Sequence, residues 1–276
     1  MKVWLVLSCL LLLSAPLQAE EQPVLQWCLD NYPNRHNYPP QGEPYGPTVD
    51  LMRELARRSG FVLTFSPNTP FARCLKLMHD GSTDLMIRLN YSDERNSYMH
   101  LIPYVQAARA EYLYLLEQHK DIRNMAQLRG LTIGVIRGYI YNAELPNLLI
   151  QNSKNVVEID TEDSAMTMLL YQRVDAVIAP MQTTEHVINS NPKFKDSIKI
   201  ASLIFPFQHN MYVHIGLSRK SRHAALLPQI QDAINSMEQD GLIQHYYQQD
   251  AAVNSADSKA NDQSASAGNT LKDGGD

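Results

Sequence analysis

Apolar and polar residues alternate along this chain in a pattern that predicts two successive series of strands and helices. In the first series, the short apolar runs at residues 24–29, 61–65 and 84–87 have the length and composition of strands. Between them, residues 48–59 and 70–80 repeat apolar side chains at helical spacing, and each segment is followed by a glycine. Such alternation is typical of a mostly parallel sheet flanked by helices, so the predicted fold class is α/β.

Threonine residues mark the predicted starts of three helices. The hydroxyl of Thr48, Thr69 or Thr161 can accept a hydrogen bond from a backbone N–H in the first helical turn. Pro70 fits the first position of the second of these helices, because its fixed φ suits a helix start. We therefore expect side-chain caps at all three threonines.

The second series predicts a second lobe. Its predicted strands are residues 111–117, 131–136, 156–159 and 174–178. Helices are expected to start near Asn142 and after Thr161. Tyr112 and Tyr114 alternate along the first of these strands and are interpreted as core residues.

After the second series, the pattern predicts a return to the first lobe. Strand-like runs at residues 198–203 and 211–217 precede helices at residues 223–237 and 242–249. A chain that leaves one lobe and comes back forms a two-strand hinge, with crossings expected near residues 107–109 and 204–208. The predicted boundaries are residues 20–108 and 206–250 for lobe 1 and residues 109–205 for lobe 2.

A polar segment follows the strand at residues 84–87 and is the first candidate for a functional site. It is predicted to be a loop, and it holds Arg88, Asn90 and Arg95. In open α/β sheets, ligands bind beyond the carboxyl ends of the strands. We therefore expect this loop at the edge of a ligand site.

The two ends of the chain are expected to lie outside the lobes. Residues 1–19 combine Lys2, an apolar stretch and a small-residue exit, which predicts a signal peptide and export to the periplasm. No later stretch approaches the length of apolar sequence that spans a bilayer, so no membrane span is expected after signal removal. Residues 251–276 contain almost nothing apolar and are predicted to be disordered.

Two cysteines remain after the predicted cleavage. Because the periplasm is oxidising, Cys28 and Cys74 are expected to form a disulfide. The alternative is a pair of buried free thiols.

The charge and the motif content favour a binding protein over an enzyme or a nucleic-acid-binding protein. The formal net charge is −5, and the basic residues are scattered rather than gathered on one face. The nine histidines show no paired metal-ligand spacing, and no phosphate loop or nucleophile motif is present. We expect no cofactor, no metal, no catalytic residue and no nucleic acid.

The order of short motifs along residues 24–249 resembles the bacterial extracellular solute-binding proteins of family 3. The motifs are Tyr38-Pro39-Pro40, Gly46 through Leu51, Leu77 through Gly81 with Asp84, Ser92-Asp93-Glu94-Arg95, Pro103-Tyr104, Leu128-Arg129-Gly130, Ile133-Gly134-Val135, Arg173 through Val177, and Asp240-Gly241. The resemblance implies a two-lobed type II periplasmic binding protein fold. It also implies a monomer that captures a small solute between its lobes and delivers it to an ABC permease in the inner membrane.

The resemblance assigns ligand contacts on both lobes. On lobe 1, Tyr38 and Phe71 match aromatic positions that lie against the ligand, and Asn90 matches a small polar position. Arg95 matches the arginine that grips a carboxylate, which its planar guanidinium can do through two parallel hydrogen bonds. On lobe 2, the resemblance points to a loop that comprises Gly138, Tyr139 and Ile140. The backbone amides of this loop are expected to face the ligand at a helix start, a place that favours anions.

One departure from the family pattern changes the expected ligand. Amino-acid binders of the family place an acidic residue, the partner of the ligand's ammonium, at the position held here by Pro180. Arg88 replaces a small hydroxyl residue, and Arg137 flanks the predicted cleft on the other lobe. These differences favour a small polar or anionic solute over an ordinary α-amino acid.

Several of these residues also have purely structural interpretations. Arg95 could form an ion pair inside its own lobe, and Phe71 could be a core aromatic. Arg88 and Arg137 could be solvated surface charges.

Two other functions are also compatible with the sequence. The first is a sensor module whose closed form is recognised by a membrane kinase or cyclase. The second is a stand-alone enzyme of the cyclohexadienyl dehydratase type, in which a carboxyl group in the cleft acts as a general acid. Glu144 and Glu185 are the candidates for that group.

Overall fold

The computed structural model describes residues 21–32, 35–107, 110–141, 145–206 and 211–247. The predicted signal peptide, the predicted disordered tail, the helix start at Asn142 and the candidate acid Glu144 lie outside the described residues. Within these ranges, no helix is long and apolar enough to cross a membrane.

The described chain alternates strands and helices from end to end. Its ten strands are β1 (Val24–Trp27), β2 (Val62–Phe65), β3 (Leu85–Asn90), β4 (Met99–Ala107), β5 (Ala110–Leu116), β6 (Thr132–Ile136), β7 (Asn155–Ile159), β8 (Ala176–Pro180), β9 (Ile198–Pro206) and β10 (Met211–Ser218). Its α-helices are α1 (Pro47–Ser59), α2 (Phe71–Asp80), α3 (Asp93–Tyr98), α4 (Leu145–Asn152), α5 (Glu162–Leu170), α6 (Met181–Ser190), α7 (Pro192–Lys195) and α8 (Leu227–Gln239), and residues 242–247 are also helical.

These strands form two five-stranded sheets with the same topology. The first sheet has the order β2-β1-β3-β10-β4 and the second has the order β7-β6-β8-β5-β9. In each sheet, the fourth strand in this order runs antiparallel to both neighbours, so four of the five strands point the same way. The predicted two-lobed α/β fold with mostly parallel strands is therefore confirmed, as two mixed sheets.

The chain passes between the two sheets twice. It leaves the first sheet at the end of β4, residue 107, and enters the second at the start of β5, residue 110. It returns between the end of β9, residue 206, and the start of β10, residue 211. The predicted crossings fall at these places, although residues 108, 109, 207 and 208 lie outside the described residues. The exact lobe boundaries remain a prediction.

Each sheet is covered by apolar side chains on both faces, as central strands of an α/β layer require. On one face of the first sheet, the core joins Trp27 and Ile215 to residues of α1 and α8. On the other face, Met86 packs with Met78 of α2 and with the two cysteines. The predicted pair forms a disulfide with a Cα–Cα distance of 5.6 Å. It ties the end of β1 to α2.

Only one of the three predicted threonine caps is present. The hydroxyl of Thr161 accepts a hydrogen bond from the backbone N–H of Ser164 at 3.2 Å. Thr48 instead lies inside α1, and Thr69 donates its hydroxyl to the carbonyl of Pro67 at 2.6 Å. Both predicted caps are absent because other residues occupy the N-cap positions. Gly46 precedes α1, which begins at Pro47, and Pro70, predicted as the first residue of its helix, is instead the N-cap residue of α2.

The segment predicted as one polar loop is instead the end of a strand and a short helix. Strand β3 continues through Arg88 to Asn90, and helix α3 begins at Asp93. The hydroxyl of Ser92 accepts from the backbone N–H of Arg95, and the acidic residues of the first turn stabilise the positive end of the helix. The sequence Ser-Asp-Glu contains this helix start, and the loop prediction overlooked it.

We expect Gly46→Ala to destabilise the protein far more than Gly42→Ala. Both glycines have positive φ, but Gly46, the residue before α1, has φ 126° and ψ 171°, a combination reached almost only by glycine. A Cβ there would lie 2.7 Å from the carbonyl oxygen of Arg35, whereas a Cβ on Gly42 meets nothing within 4 Å. Urea unfolding should give a loss of about 3 kcal/mol for Gly46→Ala and about 1 kcal/mol for Gly42→Ala. Equal losses would contradict this account.

Candidate functional site

A cavity of about 220 Å³ lies between elements of the two sheets. On the side of the first sheet, the cavity is lined by the end of β1, the turn after it, parts of α2, β3 and α3, and Tyr247, the last residue that the structure describes. Second-sheet elements supply the start of β5, the loop after β6 and the junction between β8 and α6. The volume is small compared with pockets for drug-sized ligands, which occupy about 300–1,000 Å³. It suits a solute of metabolite size.

Arg95 links the two sides of this cavity. Its side chain is 4% exposed and lies over the ring of Phe71, 5.6 Å from the ring centroid. One terminal nitrogen, Nη1, donates to the carbonyl of Asn90 at 2.9 Å, and Nη2 donates to the carbonyl of Gly138, in the loop after β6, at 2.6 Å. The guanidinium therefore bonds to backbone from both lobes while it lines the cavity.

Two further contacts cross the cleft beside Arg95. The side-chain amide of Asn90 donates to the carbonyl of Ile140 at 3.0 Å. The rings of Phe71 and Tyr139 meet edge to face, with centroids 5.3 Å apart. Burial, together with the neighbouring carboxylate of Glu162, holds the pKa of Tyr139 well above its usual range. Its hydroxyl is bonded to that carboxylate at 2.7 Å.

The loop after β6 uses different backbone groups from those expected. The amide of Tyr139 donates to the carbonyl of Ile136 at 3.2 Å, inside its own lobe. The carbonyls of Gly138 and Ile140, rather than amides, point to the other lobe. The residues lie at the cleft as predicted, but these carbonyls accept hydrogen bonds from the other lobe.

Arg88 occupies an unusual position in β3. Its backbone has φ 66°, and the register between β3 and β10 shifts at this point. A register shift of this kind is a β-bulge, which changes the direction of a side chain. A left-handed backbone conformation in a non-glycine residue often marks a functional site. The guanidinium lies 4.7 Å from the ring centroid of Tyr32, and Nη2 bonds to the Tyr32 hydroxyl at 3.3 Å. Its Nε is buried and has no hydrogen-bond partner among the described residues.

A second buried guanidinium lies behind Arg88. Arg35 is 4% exposed, and it stacks on the ring of Tyr247 at 4.7 Å. Burial, together with the nearby charge of Arg88, lowers the pKa of Arg35 to about 10. Arg88 in the wall and Arg35 behind it therefore place two like charges on this side of the cavity.

The cavity wall also contains acidic groups. The carboxylate of Asp30 lies 3.5 Å from Nε2 of His36, whose pKa is lowered chiefly by burial, so the imidazole is neutral at physiological pH. Glu111, at the start of β5, is 5% exposed. The wall thus combines two arginines with two carboxylates on different elements.

The structure brings most of the predicted ligand residues to the cavity and leaves others outside its wall. The predicted residues in the wall are Phe71, Arg88, Asn90, Arg95, Tyr139 and Ile140. Tyr38 lies elsewhere: it packs on the first core and donates its hydroxyl to the carbonyl of Ser66 at 2.7 Å. Gly138 contributes only through its bond to Arg95.

Arg137 and Glu185 lie outside the described cavity wall. Arg137 is half exposed and pairs with Glu158 at 3.2 Å and Asp160 at 2.8 Å, which agrees with its alternative interpretation as a surface charge. Glu185 lies on α6, and burial raises the pKa of its carboxyl group.

Sequence reasoning missed six residues of the wall that carry titratable side chains. They are Asp30, Tyr32, His36, Glu111, Tyr112 and Tyr247. Two signals were available: Asp30 follows the carboxyl end of β1, and Glu111 is an acid at the start of an otherwise apolar strand. Tyr112 was interpreted as core, but it is only half buried and lies in the wall, whereas Tyr114 is fully buried. Nothing in the sequence pointed to Tyr247.

No cluster of three or more histidine, cysteine or acidic side chains suited to a metal ion occurs in the part of the chain that the structure describes.

Comparisons with solved structures identify the fold. An ancestral arginine-binding protein bound to arginine is 21% identical with a TM-score of 0.68, and the alignment covers 82% of this chain and 97% of that one. An amino acid ABC transporter substrate-binding protein from Streptococcus pneumoniae bound to L-arginine is 21% identical with a TM-score of 0.65, over 82% and 95% of the two chains. A histidine kinase sensor domain with similarity to periplasmic binding proteins is 15% identical with a TM-score of 0.67, over 82% and 94%.

Sequence comparisons identify the family. A search of curated proteins finds no match. The model of one protein family matches residues 25–249, which include every residue of the cavity wall and all of both sheets except Val24. On this evidence, the chain belongs to the bacterial extracellular solute-binding proteins, family 3.

Proposed function

We propose that this protein is a periplasmic receptor that captures a small polar or anionic solute between its lobes and delivers it to an ABC importer. The observation that carries the proposal is Arg95, a buried guanidinium in the cavity wall that is bonded to both lobes. The amino-acid transport proteins among its structural neighbours support the transport role. The protein is expected to act as a monomer.

The charges of the wall favour an anionic group on the solute. A guanidinium carries several N–H donors in a planar fork, so it can bond to backbone carbonyls and to a carboxylate at once. In a poorly hydrated cavity, such a charge-assisted pair is stronger than in water. Arg88 adds a second guanidinium to the same wall, with the charge of Arg35 behind it.

The contacts across the cleft connect binding with closure. Arg95 with Gly138, Asn90 with Ile140, and Phe71 with Tyr139 hold the lobes together. A solute bonded to the same walls adds to these contacts only when the lobes are closed. It should therefore shift the protein toward the closed form.

We expect a screen of small metabolites to find ligands that carry a carboxylate, and these ligands to compact the protein. The mature protein would be tested by thermal shift against organic acids, amino acids, sugars and polyamines. Each hit would then be examined by small-angle X-ray scattering at saturation. The radius of gyration should fall on binding because closure brings the lobes together. Hits restricted to sugars or polyamines, or an unchanged radius with a bound carboxylate, would contradict the proposal.

We propose binding without turnover. Of the two candidate acids for a dehydratase, Glu185 is not part of the described cavity wall and Glu144 lies outside the described residues. A ligand incubated with the protein at equimolar concentration should be recovered unchanged by chromatography.

A sensing role is the second candidate, favoured by the structural likeness to a histidine kinase sensor domain. Uptake of the labelled solute distinguishes the two roles. Deleting the gene should abolish high-affinity uptake if the protein serves a transporter. If it serves a sensor, uptake persists and the transcriptional response to the solute is lost.

A further inference from the structure

Strand β3 contains one inserted residue at the place where it borders the cavity. Two residues of β3, Ile87 and Arg88, stand opposite a single residue of β10, Ile215. Met86 and Leu89 pack in the same core, although residues three apart on a regular strand face opposite sides of the sheet. Ile87 packs in the core on the other face, as regular alternation requires. Arg88 is therefore the inserted residue of this β-bulge.

The fold alone would favour glycine at this position. The backbone of Arg88 has φ 66°, a left-handed conformation that glycine adopts readily and that strains a residue with a Cβ. The residue present is nevertheless an arginine, and its side chain lines the cavity. A strained non-glycine residue next to a cavity points to a role for its side chain. We therefore looked for what this guanidinium could bind.

The contacts of the Arg88 guanidinium leave its charge without an anionic partner. Nη2 donates to the hydroxyl of Tyr32 at 3.3 Å, and the guanidinium lies over the same ring, 4.7 Å from its centroid. In the part of the chain that the structure describes, Nε is buried without a hydrogen-bond partner, and no carboxylate forms an ion pair with this arginine. A buried cation is costly unless an anion or hydrogen bonds compensate for it. An anionic group of a ligand would provide that compensation.

The surroundings of Arg88 increase the need for an anion. Burial, together with the charge of Arg88, lowers the pKa of Arg35, so the two guanidinium groups repel each other. The carboxylate of Asp30, on the same lobe, lies 3.5 Å from Nε2 of His36 rather than in an ion pair with Arg88. An anion bound to Arg88 would also reduce the repulsion between the two arginines.

The guanidinium groups of Arg88 and Arg95 lie at different places in one cavity. Arg88 rests on Tyr32, in the turn after β1, whereas Arg95 rests on Phe71, at the start of α2. Both arginines line the same cavity of about 220 Å³. A solute that fills this cavity can therefore meet one guanidinium at each of two places.

We propose that Arg88 binds a second anionic group of the solute, so that the cleft selects dianions over acids with a single negative charge. The inference rests on the proposed function, in which Arg95 binds the first anionic group. It narrows the expected solute from any small polar or anionic molecule to one with two separate anionic groups. The small volume of the cavity favours a short chain between these groups, as in a short dicarboxylate.

The test compares solutes that differ in one anionic group. Each dicarboxylate is paired with its monoamide, in which a neutral amide of nearly the same size replaces one carboxylate. The pairs are succinate with succinamate, glutarate with glutaramate, aspartate with asparagine, and glutamate with glutamine. A further probe, 3-phosphonopropionate, is compared with succinate to distinguish a phosphoryl group from a carboxylate at Arg88.

Titration calorimetry would be performed on the mature wild-type protein, on Arg88→Gly and on Arg137→Ala. Arg88→Gly removes the guanidinium and keeps the bulge, because glycine adopts the required backbone conformation. Arg137→Ala is the matched control, since that arginine is half exposed, pairs with Glu158 and Asp160, and lies outside the described cavity wall.

We expect the wild type to bind at least one diacid about a hundredfold or more tightly than its neutral-amide counterpart, because the amide leaves Arg88 without an anion. Arg88→Gly should weaken the diacid by a similar factor and leave the monoamide within about fivefold. Arg137→Ala should change neither. The inference is overturned if every monoamide binds the wild type as tightly as its diacid, or if Arg88→Gly retains the preference for the diacid.

The design separates failure of this inference from failure of the proposed function. Monoamides that bind as tightly as diacids, in a manner dependent on Arg95, would refute the inference and leave the receptor proposal in place. Absence of binding by every diacid also refutes the inference, whereas the receptor proposal fails only if the metabolite screen finds no ligand that carries a carboxylate.

A second variant keeps the test decisive if Arg88→Gly does not fold. Arg88→Lys keeps a positive charge but not the planar fork, so the preference for the diacid should fall by about tenfold or more. An unchanged preference in this variant would contradict the proposed contact.

Discussion

Replacing Arg95 by alanine is expected to weaken binding of the solute selected by the metabolite screen by about 2–5 kcal/mol, or roughly thirtyfold to several thousandfold. The variant removes the proposed contact with the carboxylate and also the hydrogen bond that joins Arg95 to Gly138 across the cleft. Both losses act on the closed, ligand-bound state. Titration calorimetry on the wild type and the variant measures the difference directly.

Two companion variants separate geometry from charge. Arg95→Lys keeps the positive charge but not the planar fork, so most of the affinity should still be lost. Arg137→Ala is the matched control, because that arginine is half exposed, pairs with Glu158 and Asp160, and lies outside the described cavity wall. The Arg137→Ala variant should bind the solute with the affinity of the wild type. Unchanged affinity in both Arg95 variants would assign Arg95 a structural role only.

Removing the disulfide is expected to lower the free energy of unfolding by about 4 kcal/mol, as the chain-entropy model gives for a bridge of this span. Cys28 and Cys74 are 46 residues apart in sequence, and both are about 1% exposed. Urea unfolding of the Cys28→Ala/Cys74→Ala double variant measures the loss. Binding should weaken as well, because both cysteines lie in the cavity wall and the bridge fixes α2, which carries Phe71.

Reduction of the wild type provides the control for this experiment. Dithiothreitol should lower the stability of the wild type toward that of the double variant and leave the double variant unchanged. Thiol titration of the denatured, unreduced protein should find no free thiol. Two free thiols per chain, or equal stability of the oxidised wild type and the double variant, would contradict the prediction.

The architecture could be predicted from the sequence because it depends on short-range patterns. Apolar runs such as β3 and β8 mark buried strands, and glycines after α1 and α2 mark helix ends with positive φ. The errors occurred where two local signals compete. Prolines stand at the starts of α1 and α2, where threonine caps were expected. The polar composition after Ile87 concealed the end of a strand and the helix capped by Ser92.

The cavity was less predictable because its wall depends on contacts between distant residues. Arg95 could be found from its place after a strand, and Phe71 from the resemblance to the family. Glu111 reaches the cavity through its register with Pro180, and Tyr247 through the packing of the C-terminal helical segment. Neither register nor packing is visible in a local pattern. Tyr38 and Arg137 have suitable chemistry, but hydrogen bonds and ion pairs hold their side chains elsewhere.

The strand order of the two sheets determines which sheet can be completed first while the chain is synthesised from its amino end. The second sheet needs only residues 110–206, a single continuous stretch. The first sheet has β10 between β3 and β4, so it stays divided until residue 218 has appeared. Until then, β3 and β4 each present an unpaired edge, which is a hazard for aggregation. The lobe whose synthesis begins first is therefore the last to be completed, and chaperone protection of the growing chain would matter most for that half of the molecule.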